Sequence, residues 1–129
     1  MAGTTTTTIT NRRGPDNKNL KVVSVAFTAD SADASVPNTT LAGLFGKLVR
    51  TITNPGSTAP TDNYDVKLLS PDDSTADVLA GADADRDTAN TETINHSTPI
   101  ELRGDYTLQV SNNSVNSATG VVILEILED

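Results

Sequence analysis

Four stretches of this chain alternate apolar and polar residues with a period of two. Val23, Val25 and Phe27 alternate with Ser24, Ala26 and Thr28. Tyr64, Val66 and Leu68 enclose Asp65 and Lys67; Tyr106, Leu108 and Val110 enclose Thr107 and Gln109. Val122, Leu124 and Ile126 share one face of a final run. Successive side chains of a strand point to opposite faces, so this pattern specifies strands with one buried face and excludes a helical bundle. The final run differs from the others because its second face, Val121, Ile123 and Leu127 around Glu125, is also apolar. A strand apolar on both sides predicts a central position in a sheet or a subunit interface.

Shorter strand candidates lie at Ala34–Pro37, Lys47–Thr53, Glu92–Asn95 and Ile100–Arg103. Asn54-Pro55-Gly56 is a strong turn signal, and Arg103-Gly104-Asp105 and Asn112-Asn113-Ser114 are weaker ones. About eight short strands joined by polar turns predict an all-β fold, a β-sandwich or jelly roll. One short helix is expected after Ser70, which reads as an N-cap before Pro71, Asp72 and Asp73, with Gly81 placed to end it.

The 129 residues fit one domain, but two Phe, two Tyr and no Trp make a lean core, so assembly with other subunits would add burial the monomer lacks. Cysteine is absent, which removes disulfides, thiolate zinc sites and cysteine nucleophiles and fits assembly in a reducing cytosol. No apolar run reaches the roughly 20 residues of a membrane-spanning helix, and the first residues carry no signal-peptide pattern.

Charge divides the chain. Residues 1–21 carry Arg12, Arg13, Lys18 and Lys21 against Asp16, a net +3, while the remainder carries −11. So acidic a body repels phosphate backbones, which argues against nucleic-acid binding. The tract Thr4, Thr5, Thr6, Thr7, Thr8 with Ile9, followed by Arg12, Arg13 and Lys18, is too polar to pack alone. Its β-branched threonines favour extended backbone that can add to a sheet edge. The expected organisation is an extended N-terminal arm over 1–20 and a sandwich domain over 21–129. The arginine pair is either a solvated patch or an anchor that grips a neighbouring acidic surface bidentately.

Catalytic chemistry finds little to use. His96 is the single histidine, and Ser97 beside it would face the other side of a strand. Asp83-Ala84-Asp85-Arg86-Asp87 opens like a calcium loop but has Thr88 at the sixth position and Ile94 at the twelfth, where glycine and glutamate are needed. A solvated acidic loop with Arg86 paired to a carboxylate is the plainer reading, with a non-standard calcium site as the other. Phosphate-cradling glycine loops, nucleophile elbows and zinc-binding histidine pairs are missing, so no enzyme and no cofactor are expected.

In order along the chain, Gly43-Leu44-Phe45-Gly46-Lys47-Leu48-Val49-Arg50, Thr61-Asp62-Asn63-Tyr64-Asp65-Val66, Asp77-Val78-Leu79-Ala80-Gly81 and Asp85-Arg86-Asp87-Thr88-Ala89-Asn90-Thr91-Glu92 resemble the small head-associated proteins of tailed bacteriophages. Gly104-Asp105-Tyr106-Thr107-Leu108-Gln109-Val110-Ser111-Asn112-Asn113, followed by Gly120-Val121-Val122-Ile123-Leu124, fits the same pattern. The resemblance runs from about Leu20 onward. It implies a capsid decoration, or cement, protein: a trimeric β-sandwich on the outer surface of the virion, made in the host cytoplasm. Such a protein clamps neighbouring capsomers and reaches over the major capsid protein with its N-terminal arm. The alternative from the residues is a fibre or tail recognition module binding host carbohydrate or protein, which would use exposed aromatic platforms or calcium.

Overall fold

The computed structural model describes residues 1–13 and 17–128. The chain is all-β: β1 (Thr4–Arg13), β2 (Asn19–Thr28), β3 (Thr39–Pro55), β4 (Asp65–Leu69), β5 (Glu92–Ser111) and β6 (Thr119–Leu127). They form one antiparallel sheet in the order β1-β2-β6-β3-β5-β4. The doubly apolar run is thus central, with β6 between β2 and β3 along nearly its whole length.

The sheet bends over on itself around one core. Phe27 on β2 and Tyr64 just before β4 belong near opposite ends of the strand order, yet their rings lie 6.4 Å apart at a tilt of 56°. Val23, Val25, Val122, Leu124 and Ile126 join Val66, Leu68, Leu102 and Leu108 in a single buried cluster. Every apolar residue singled out by the alternation in the four runs is buried. Full burial of such a side chain contributes about 1.5–3 kcal/mol, so these positions dominate folding.

The bend lies in the two long strands. The first half of β3 pairs with Ile100–Leu108 of β5; its second half pairs with Glu92–Asn95 of β5 on one side and with β6 on the other. Between the pairs Leu48↔Ile100 and Arg50↔Asn95, β5 carries His96, Ser97, Thr98 and Pro99 against a single β3 residue. This bulge turns the strand pair, and Pro99 has no N–H to lose from the ladder. Gly46 marks the same corner with φ +142°, where a Cβ would sit 2.6 Å from the Leu127 carbonyl oxygen.

Three sequence expectations change. Glu92–Asn95, Ile100–Arg103 and the Tyr106 run are one strand, because Arg103-Gly104-Asp105 stays extended within β5. Ala34–Pro37 is not a strand; Asp30 accepts from the N–H groups of Ala32 and Asp33, and Asp33 accepts from that of Ser35, holding the segment in side-chain-capped turns. Nor is there a helix at Ser70–Gly81, which forms successive turns. Ser70 does accept from the Asp72 N–H, as an N-cap would. However, Asp77 then takes the N–H groups of Leu68, Leu79 and Gly81, tying this segment to β4. Short helices are marginal, and such side-chain bonds to backbone outcompete them.

The two sheet edges are treated differently. Beyond β4, Val66 N–H donates to the Asp83 carbonyl, Val78 N–H to Leu68 and Arg86 N–H to Tyr64, so the loop over residues 76–86 closes that edge. The other edge is β1, which pairs with β2 alone.

Candidate interaction surface

The N-terminal segment lies along its own domain as a strand. It is extended, as its threonines predict, but all ten residues from Thr4↔Thr28 to Arg13↔Asn19 pair with β2. It is therefore an integral edge strand and not an arm apart from a domain beginning at residue 21. Gly14, Pro15 and Asp16 of that expected arm lie outside the described residues. Thr5 is half-buried, its hydroxyl accepting from Thr39 at 2.5 Å. Thr4, Thr6, Thr7, Thr8, Ile9, Arg12, Arg13 and Lys18 are exposed, Ile9 to 51%.

Residues paired directly across strands share a face. Thr5, Thr7 and Ile9 stand opposite Phe27, Val25 and Val23, on the core side. The outer face is built from rows across the central strands: Val22 and Glu125 with Arg50, Ser24 and Ile123 with Ile52, Ala26 and Val121 with Asn54. Val22, Ile52, Val121, Ile123 and Leu127 are half-buried there, an apolar stripe on the face away from the core.

Glu125 lies in this face with its side chain 10% exposed, bridging Arg12 at 3.0 Å and Arg50 at 3.4 Å. Arg50 also donates to Asn95 at 3.0 Å. The bridge joins three strands, β1, β6 and β3. Beside it an open depression of about 500 Å³ is lined by Arg12, Arg13, Leu20, Arg50, Glu125 and Leu127. The structure thus brings Arg12 and Arg13 together at one basic corner of the apolar stripe, and Arg13 makes no ion pair among the described residues. A neighbouring depression of about 680 Å³ contains Lys18, Phe45, Glu101 and Arg103, with Phe45 exposed to 56%.

On the core side, the closing loop buries polar groups. Asp83 is wholly buried, and among the described residues neither carboxylate oxygen has a hydrogen-bond partner. Burial pushes its pKa up to about 6, although the nearby Arg86 guanidinium and Thr51 hydroxyl pull the other way. The Thr51 hydroxyl shares a 2.9 Å hydrogen bond with His96 Nε2, and burial lowers the pKa of His96. Thr51 is 1% exposed, so this hydrogen bond lies inside the core. The Tyr64 and Thr53 hydroxyls lie in the same interior, also without a hydrogen-bond partner among the described residues.

The carboxylates of the 83–87 stretch diverge. Asp83 is interior, while Asp87 accepts from the Ala89 and Asn90 N–H groups. Among the described residues no group of three His, Asp or Glu stands placed to hold a metal. Arg86 pairs with Glu92 at 3.4 Å, so that ion pair reaches outside the loop. Among the described residues no helix is long and apolar enough to cross a membrane.

Sequence reasoning missed three features: Arg50 as the second partner of Glu125, the exposure of Phe45 and the interior position of Asp83. The first had a signal in Glu125 itself, an acid amid an apolar face that needs a cation. No family model matches the chain, and no curated protein matches it.

Proposed function

We propose that this protein is a capsid decoration protein, attached to the outer surface of an assembled phage head and stabilising contacts between capsomers. The observation that carries the reading is the half-exposed apolar stripe ending in the basic corner of Arg12 and Arg13, on an otherwise acidic molecule. An apolar patch rimmed by charge fits a protein partner, and the local positive charge selects an acidic one. In this reading the major capsid protein takes the basic corner, and the bent sheet is a sandwich of the jelly-roll kind. Copies bury the stripe against each other as a homotrimer. Three such corners then act together, multiplying weak single contacts through effective concentration.

Docking by a detached arm is replaced here by docking through an ordered edge, so deleting the N-terminal residues is a poor test because it uncovers β2. A double variant, Arg13→Ala with Lys18→Ala, leaves the Arg12–Glu125 bridge in place. Co-sedimentation with purified empty heads should show at least a tenfold loss of affinity. Undiminished occupancy with an unchanged circular dichroism spectrum would refute the basic-corner docking.

One observation favours a second reading, a module that recognises host carbohydrate. Phe45 is an exposed aromatic ring beside an open, polar depression, the kind of platform on which sugar rings stack. Calorimetric titration with host glycans separates the two, since the decoration reading expects no heat.

A further inference from the structure

The two sheet edges are protected differently. The β4 edge is closed by backbone and side-chain hydrogen bonds from the loop over residues 76–86. Along β1 nothing comparable exists among the described residues: from Thr6 to Arg13 every residue is exposed. In an edge strand, alternate N–H and C=O groups point away from the sheet and form a template for another strand. Natural sheets usually blunt such an edge with inward charges, proline or bulges. Thr4–Arg13 has none of these before Arg12, and its pairing with β2 is regular throughout.

We infer that β1 pairs antiparallel with β1 of a second copy of this chain, across a twofold axis at Thr8, making the two six-stranded sheets continuous.

Three observations on the molecule favour a second copy over a foreign strand. First, the body of the chain carries −11 outside residues 1–21, whereas Thr4–Arg13 contains no acid, so the β1 edge is where two copies meet with least repulsion. Second, the charges match under twofold symmetry. The basic end of the strand, Arg12 and Arg13, lies opposite the start of the partner's strand. That start is tied to an acidic loop: the Met1 amino group donates to Ser31, Ser31 N–H donates back to Met1, and Asp30 and Asp33 flank that serine. Antiparallel pairing therefore brings each arginine end to the other copy's acidic loop while holding like ends apart. Third, the central positions are threonines, whose cross-strand pairing is favourable and whose stiff side chains lose little freedom on ordering. The pairing uses the same β1 edge and arginine end as the proposed shell docking, so it belongs to copies that are not docked on a shell. It would join two single chains in solution or two trimers edge to edge.

The absence of cysteine makes the test clean. Across the proposed axis the two Thr8 Cα atoms stand about 4.5–5.5 Å apart, within disulfide range. The two Thr4 positions, each four residues from the axis, are separated by about 27 Å at ~3.4 Å per residue. In the full-length protein, Thr8→Cys should oxidise to a covalent dimer on a non-reducing gel at least tenfold faster than Thr4→Cys or the exposed control Thr75→Cys. The unmodified protein should show concentration-dependent dimerisation by sedimentation, weakened as salt rises. Equal cross-linking at all three sites would mean random collision and overturn the pairing. So would a single-chain mass at every concentration, or capture of Thr8→Cys by another protein in preference to itself.

Discussion

Replacing Asp83 by asparagine should remove a specific pH dependence from the stability of this protein. Among the described residues Asp83 is the one wholly buried carboxylate, and none of them gives either of its oxygens a hydrogen bond within normal distance. Its pKa is pushed from 3.8 to about 6 by burial. Between those values the unfolded chain has released the proton and the folded one still holds it. Folding is then linked to proton uptake, and stability falls as pH rises. The effect is complete below pH 3.8, and it is lost once the pH passes the folded value near 6. At 1.36 kcal/mol per unit, the shift amounts to about 3 kcal/mol. That is a large part of the 5–15 kcal/mol typical of a domain. Urea unfolding of wild type and Asp83→Asn from pH 4 to 7.5 would measure it. The wild-type curve should descend toward neutral pH relative to the variant, by about 3 kcal/mol at the upper end. His96, whose pKa is lowered by burial, acts oppositely, since its neutral folded form favours higher pH. The difference between the two curves cancels that contribution to first order. Parallel curves across the range would refute the claim that this carboxylate is folded away without a donor.

Two further outcomes follow from the packing. Gly120→Ala places a Cβ 2.6 Å from Phe27 Cζ, so overpacking should cost about 1–3 kcal/mol in chemical denaturation. Glu125→Gln removes the charge shared by Arg12 and Arg50; with both guanidiniums about half exposed, the loss should be about 1 kcal/mol and should shrink in high salt.

The alternating runs made the core legible because burial on one face of a strand leaves a direct trace in residue type. Val23, Leu68, Leu108 and Leu124 needed no structural knowledge to place. The apolar second face of β6 pointed to a central strand or a subunit interface, and the sheet order puts it centrally. The bend was illegible, since it depends on a four-residue bulge at His96–Pro99 whose meaning appears only when β3 lies opposite. The helix expected at Ser70 failed for a related reason. Its local capping chemistry was read correctly, but Asp77 spends its oxygens on a strand several residues away. The N-terminal tract was legible as extended backbone. Its pairing with β2 was not, because threonines carry no apolar face to declare a register. Asp83 looked solvated among its acidic neighbours, and only the fold of the loop over β4 turns it inward.

The place of β6 has a consequence for how the molecule comes into being. The last strand in chain order fills the gap between β2 and β3. As the chain leaves the ribosome, those two strands therefore wait with unmatched borders until residues 119–127 emerge. Nascent chains stalled short of that point would expose two sticky ribbons instead of one sheet, and a chaperone that shields them would act in that interval.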